Sequence, residues 1–208
     1  MKKLFLLSIL FALNSNSVKS QLISTPNEFK QTAMSFLKWY LEASEKPENL
    51  FDILQMPDTL VKSSAIIFRI NFNEVRRQLD FLKSSGYLSN SFIKSIFDFR
   101  KMQDSIFLKY LQPKDKDPIG FGYDLVLQRM EMPEYKDTSW ENPKITSFEI
   151  KDSVCKMDLQ FPVSLGLMKF KFEKCENKWL VSEINDPVTR RFKYYPSLYK
   201  VTQKHKPI

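Results

Sequence analysis

Histidine is almost absent from this chain of 208 residues: the single one, His205, lies in the basic segment at the C-terminal end. A Ser-His-Asp or Cys-His site needs an imidazole held rigidly against its nucleophile, and chain termini are usually mobile. His205 therefore reads as a solvated tail residue, and histidine-based nucleophilic catalysis is set aside. With only two cysteines, ordinary zinc sites lose their ligands as well. Glycine is scarce, at four residues, which argues against a Gly-rich phosphate loop or a solenoid. There is no Cys-x-x-Cys pair, no internal repeat and no low-complexity tract. Asp115-Lys116-Asp117 has the opening of a calcium loop but lacks the later oxygen ligands at the required spacing. No cofactor or metal is expected from these residues.

What the chain does contain begins with an export signal. Lys2 and Lys3 precede an apolar run from Leu4 to Leu13 broken only by Ser8, too short to span a bilayer, which needs roughly 20 apolar residues. A polar Asn14–Ser17 stretch follows, and Val18 and Ser20 supply the small residues read before a cut, placed between Ser20 and Gln21. Residues 1–20 are thus expected to be a cleaved signal peptide. No cysteine near the cut offers a site for a lipid anchor, and no later segment is apolar and long enough to cross a membrane. The expected product is soluble, in the periplasm or secreted; Gln at the new N-terminus suits a Gram-negative source. The formal charge of +8 favours anionic partners only weakly, and export makes nucleic acid an unsuitable one.

The order of elements points to an α+β domain over residues 21–185, followed by a basic aromatic tail over 186–208. Thr25-Pro26-Asn27-Glu28 combines a Thr N-cap, Pro at the first helical position and Glu three residues after the cap. Phe29, Ala33, Phe36, Leu37, Tyr40 and Leu41 follow at helical spacing, with an end expected near Lys46 before Pro47. Between Glu48 and Phe72 the pattern is ambiguous: Leu50–Leu54 suits a short helix, and Ala65–Ile70 suits a strand. Asn73 is expected to cap a helix to about Ser85, closed by a left-handed Gly86, and Ser89 another to about Leu111. Four strand-like runs come next, Lys144–Ile150, Val154–Phe161, Leu167–Cys175 and Trp179–Ile184, joined by turns short enough for hairpins. Helices first and strands last predict helices packed on one face of an antiparallel meander.

The Phe36–Leu41 stretch on the first helix, the strands from Phe148 onward, and the closing Trp179-Leu180-Val181-Ser182-Glu183-Ile184 resemble the nuclear-transport-factor-two-like, or cystatin-like, superfamily. The Asp117-Pro118-Ile119-Gly120-Phe121 loop is similar to that of a poorly characterised group of exported bacterial members. The resemblance implies a strongly curved sheet wrapped on helices as a cone with a pocket at its wide end. It decides no function, since the fold hosts enzymes, ligand binders and dimerisation modules. In its steroid-isomerase branch a tyrosine near the first helix donates to an oxyanion, assisted by buried carboxyl groups. Tyr40 occupies that general location, with Asp124 or Asp117 as the carboxylate. The plainer reading makes Tyr40 a core aromatic whose hydroxyl meets a backbone partner, and Asp117 a turn residue before Pro118.

Tyr40, Tyr123, Asp124 and Trp140 are the candidate ligand contacts, no residue is assigned a catalytic role, and no metal ligand is named. Trp140, in the polar Lys136–Pro143 linker, is expected to be the most exposed of the three tryptophans; Trp39 and Trp179 read as packing residues. Cys155 and Cys175 are equidistant from Leu165, so a symmetric hairpin sets them opposite each other in an oxidising compartment. Strand alternation disagrees, pointing Cys155 inward and Cys175 outward, and a β-bulge is needed to realign them. The expected role is an exported, non-catalytic module binding an unknown small molecule or protein, with a homodimer through the sheet as one arrangement. The alternatives are an enzyme using Tyr and Asp in the cone, and an envelope inhibitor or immunity protein acting through its surface.

Overall fold

The computed structural model describes residues 25–55, 65–109, 112–113, 118, 121, 124–127, 140–162 and 165–185. The expected signal peptide 1–20, its cut between Ser20 and Gln21, Asp117, Tyr123 and the tail 186–208 lie outside the described residues. The first described element starts from the capping box: Glu28 N–H donates to Thr25 Oγ1 at 3.4 Å and Thr25 N–H to Glu28 Oε2 at 3.3 Å. Two backbone donors that no helical turn can use are thereby satisfied. Helix α1 runs Pro26–Ser44, and Phe29, Ala33, Phe36, Leu37, Tyr40 and Leu41 are all buried along its inner stripe.

Pro47–Asn49 then forms a single 3-10 turn, and the expected helix at Leu50–Leu54 does not form. That segment is extended and ends in strand β1 (Leu54–Gln55), antiparallel to β3 (Arg69–Ile70). Pro47 and Asn49 stop the helix, while Ile53, buried at 5% exposure, is tied through its carbonyl to Asn71 N–H at 2.8 Å. A second short pair joins β2 (Ala65–Ile66) to β4 (Gln112–Pro113). Helix α2 (Phe72–Ser84) is capped by Asn71 rather than the expected Asn73: Asn71 Oδ1 accepts from the Asn73 and Glu74 N–H groups at 3.2 and 3.4 Å. Asn73 sits inside the first turn and accepts instead from Arg76. Gly86 takes the expected left-handed geometry after α2 (φ 70°). Ser89 caps α3 (Asn90–Lys109) by accepting from Phe92 N–H at 3.2 Å.

The meander forms as the pattern requires: β5 (Lys144–Lys151), β6 (Val154–Gln160), β7 (Leu167–Cys175) and β8 (Lys178–Asn185) make a four-stranded antiparallel sheet in sequence order. Cross-strand partners Cys155 with Phe172, Met157 with Phe170, and Leu159 with Met168 fill its inner face, and all are buried. Helix α1 lies on this face, with the Phe29 ring 5.5 Å from Phe148, 5.1 Å from Phe172 and 5.0 Å from Trp179. The chain is an α+β domain with helices packed on one face of the sheet. The α2–α3 connection hooks onto the β8 edge: Ser89 N–H donates to Val181 O at 3.0 Å and Val181 N–H to Tyr87 O at 2.8 Å. The last described structural tie is Asp104 on α3, which accepts from Ile70 N–H at 3.0 Å and from Arg69 Nε at 3.0 Å, fastening β3 to the helix.

The candidate disulfide does not form: Cys155 and Cys175 are both free. The register explains it, since Cys155 faces Phe172 and Cys175 faces Lys178. Three residues of offset along β7 separate the two Cα atoms by roughly 11 Å, given a 3.3 Å rise and a 4.8 Å strand spacing, against a limit of about 7 Å for a bridge. The alternation reading holds: Cys155 is buried among the core residues, and Cys175 lies on the outer side with its thiol 3.8 Å from Glu173 Oε1. That outer face carries a row of charges, Glu149, Lys156, Lys171 and Glu183, on neighbouring strands. Lys169 pairs with Asp158 at 3.5 Å. Charges of both signs therefore dominate the middle of this outer face, and the described residues lend no support to a homodimer through the sheet.

Candidate functional site

Two of the four sequence-chosen contacts come together. Tyr40, on the inner stripe of α1, donates its hydroxyl to Asp124 Oδ2 at 2.6 Å. The sequence placed a carboxylate near Tyr40 but expected the hydroxyl of a core tyrosine to meet the backbone; it meets a side chain 84 positions away instead. Asp124 begins the turn Asp124–Leu127, whose geometry it fixes by accepting from Leu127 N–H through Oδ1 at 2.6 Å. Tyr40 stacks on Phe36 with ring centroids 5.8 Å apart. Burial pushes the Asp124 carboxyl above the ordinary carboxylate range, against the backbone N–H of Leu127, the Tyr40 hydroxyl, the N–H of Val126 and the charge of Arg100, which all favour ionisation. Burial pushes Tyr40 well above the ordinary tyrosine value, and the Asp124 charge and hydrogen bond push it further.

Arg100 and Gln103 complete this polar cluster from α3. Both are buried, Arg100 Nη1 donates to Gln103 Oε1 at 2.8 Å, and the guanidinium lies 4.9 Å from the centre of the Phe121 ring. Neither was singled out from the sequence. The signal was present: Ile93, Ile96, Arg100, Gln103 and Phe107 follow the three-and-four spacing of one helix face, so two polar residues stand in core phase. Polar groups in that phase are buried and need partners.

Trp140 goes where the sequence did not send it. It is 1% exposed and belongs to the core, so it is no surface contact. The surrounding polar residues suggested an exposed ring, but an indole buries up to about 250 Å² of mostly apolar area and outweighs its polar neighbours in sequence. Trp39 and Trp179 are packing residues as expected, Trp39 stacking on Phe81 at 4.9 Å.

Tyr40 itself is buried, stacked on Phe36 and bonded to Asp124. A groove of about 360 Å³ opens elsewhere, outside the core, where the first turns of α1 meet the α2–α3 connection and the start of β8. Phe29, Tyr87, Trp179 and Leu180 give it an apolar floor, and Glu28, Thr32 and Lys178 give it polar edges. Phe29 is buried to 1% exposure, whereas Trp179, also in the groove lining, is only partly buried. The capping box fixes Glu28 at the rim, and the hydroxyl of Thr32 donates to Glu28 O at 3.0 Å. A concave site with aromatic walls and one group of each charge suits an amphipathic ligand. These groove residues were not chosen from the sequence, because they come from three separate segments whose meeting depends on the α2–α3 hook to β8.

Among the described residues, no set of three or more His, Cys, Asp or Glu side chains is placed to hold a metal ion. Among them also, no helix is long and apolar enough to cross a membrane. Set against known protein families, curated proteins and solved structures, the chain finds no match in any of the three.

Proposed function

We propose that this protein is an exported, non-catalytic binding module whose ligand or partner docks on its outside, in the groove between α1, Tyr87 and the start of β8. The observation that carries the reading is a contrast. The space between α1 and the sheet is occupied by Phe29, Phe36, Tyr40, Met157, Phe170 and Phe172, all buried, while about 360 Å³ of concave surface lies outside it. Tyr40 and Asp124 satisfy each other, so a ligand entering there must first break a 2.6 Å hydrogen bond. Export rests on the pattern of residues 1–20. Membership of the cystatin-like superfamily belongs to the same proposal, supported by a capped helix lying on a four-stranded meander that ends on Trp179–Ile184.

An enzyme using Tyr40 and Asp124 draws support from the raised carboxyl of Asp124, since perturbed groups collect at functional sites. Structural networks perturb pKa values equally, and the bond between Tyr40 and Asp124 favours that account here. The surface-acting inhibitor reading agrees with the groove and differs only in the size of the partner.

The test compares two full-chain variants as baits for envelope and culture fractions. Thr32→Trp fills the groove and is expected to lose a partner that the parent retains, while Tyr40→Phe retains it. Loss with Tyr40→Phe and retention with Thr32→Trp moves the site to the interior and overturns the proposal.

A further inference from the structure

The charged groups of the outer groove are not equally committed. Glu28 holds Thr25 N–H through Oε2 at 3.3 Å as part of the capping box, so its carboxylate is already engaged at the helix start. Lys178, the first residue of β8, also lines the groove, and its ammonium has no hydrogen-bond or ion-pair partner among the described residues. A second ammonium stands at the same indole. Lys174 is the cross-strand partner of Trp179, with Nζ 6.0 Å from the centre of its ring, and has no acidic partner among the described residues. The nearby Glu173 accepts from the Ser91 hydroxyl at 3.0 Å, and Glu176 is not part of the lining. The charge left over for a ligand is therefore positive.

The rest of the lining sets the body of that ligand. Phe29, Tyr87 and Trp179 bring three aromatic side chains to a concavity of about 360 Å³, at the low end of the roughly 300–1,000 Å³ usual for small-molecule sites. Aromatic rings gain from offset and edge contacts with one another beyond the area they bury. We propose that the groove takes a small aromatic carboxylate, its rings on Phe29, Tyr87 and Trp179 and its anionic end on Lys178, within the field of Lys174. The inference rests on the groove reading above and names the class of compound that fills it. A cation of the same shape meets two unpaired ammonium groups and one carboxylate already in use, so the site discriminates by charge.

The experiment titrates the full chain with naphthylacetate and with naphthylethylamine, which share a ring system and differ in charge, and follows the backbone amides by NMR. The carboxylate is expected to shift Phe29, Thr32, Tyr87 and Leu180 and to bind about tenfold tighter than the amine, from attraction in one case and repulsion in the other. Replacing both lysines, Lys174→Gln with Lys178→Gln, is expected to bring the two probes within about twofold of each other, since an exposed ion pair is worth up to about fivefold. Raising salt from about 0.05 M to about 0.5 M is expected to shrink the parent preference as well. Equal or tighter binding of the amine at the groove residues overturns the proposal and leaves the groove reading standing. A carboxylate preference that survives both the double variant and high salt overturns it too. Silence of the groove with both probes also overturns the aromatic carboxylate, and the capture test with Thr32→Trp then decides the groove reading by itself. If the double variant fails to fold, Lys178→Gln and the salt series carry the comparison.

Discussion

The Phe29 ring and the Trp179 indole meet edge to face with centroids 5.0 Å apart, and both line the outer groove. One contact therefore seals the core beneath α1 and shapes the floor on which a ligand would rest. Phe29 and Trp179 both pack the core and line the groove, so substitutions must be graded to separate the two effects. Trp179→Ala is expected to cost about 2–4 kcal/mol, below the upper range for aromatic truncation because the indole is partly exposed. Trp179→Phe should cost less than about 1.5 kcal/mol. Urea unfolding of both variants checks the order; a Trp179→Ala cost under about 0.5 kcal/mol would remove the indole from the core.

Tyr40→Phe removes the hydroxyl and leaves Asp124 Oδ2 without its donor. The expected loss is about 1–3 kcal/mol, the cost of an abandoned buried partner rather than of a lost ring. Denaturant midpoints of the parent and the variant give the comparison, and equal midpoints would show that the 2.6 Å bond contributes nothing.

Asp104 behaves in the opposite sense to Asp124. Burial alone would raise its carboxyl, but hydrogen bonds from Arg69 and Ile70 N–H and the Arg69 charge outweigh burial and hold it below the ordinary value. A depressed folded pKa means stability that is present above the unfolded value near 4 and is lost as pH falls through the folded one. Asp104→Ala is expected to cost about 1–3 kcal/mol, because it also orphans Ile70 N–H. Arg69→Ala should cost under about 1 kcal/mol, since that side chain is 52% exposed and screened by solvent. Thermal unfolding at pH 7 and pH 3 tests both; a larger loss in Arg69→Ala than in Asp104→Ala would contradict the arrangement.

The two thiols should differ in reactivity. Burial pushes Cys155 up to about 12, leaving almost no thiolate at neutral pH. Cys175 is also raised, by burial and by the neighbouring Glu173, but it lies partly open on the outer side of the sheet. Iodoacetamide on the folded protein is expected to label Cys175 slowly and Cys155 not at all, with both labelled after denaturation. A peptide map with Cys155 joined to Cys175 would contradict the register.

Local chemistry was legible wherever one segment carried its own instructions. The Thr25–Glu28 capping box, Gly86, Ser89 and the alternation of Cys155, Met157 and Leu159 each act within a few residues, and each is found as read. The misreadings share a physical cause. Asn71 and Asn73 carry the same capping chemistry, and only the path of the chain after β3 decides between them. The sequence neighbours of Trp140 are polar, whereas its burial is decided by the core it joins. The cysteine pairing depended on a hairpin register offset by three residues from the symmetric one. The candidate site divides in the same way. Tyr40 was visible as an inward aromatic and Asp124 as a carboxylate in the following loop, but their mutual bond, and the groove built from three segments, arise only when the fold is closed.

The most direct test of the account is a backbone-amide NMR titration of the full chain with a small set of aromatic carboxylates and aromatic amines, chosen to meet Lys178 and Glu28. The account predicts shift changes gathered at Phe29, Thr32, Tyr87 and Leu180, with Tyr40, Asp124 and Leu127 unmoved. Changes centred on Tyr40, Asp124 and Leu127 with the groove silent would contradict it and place the working site inside the domain.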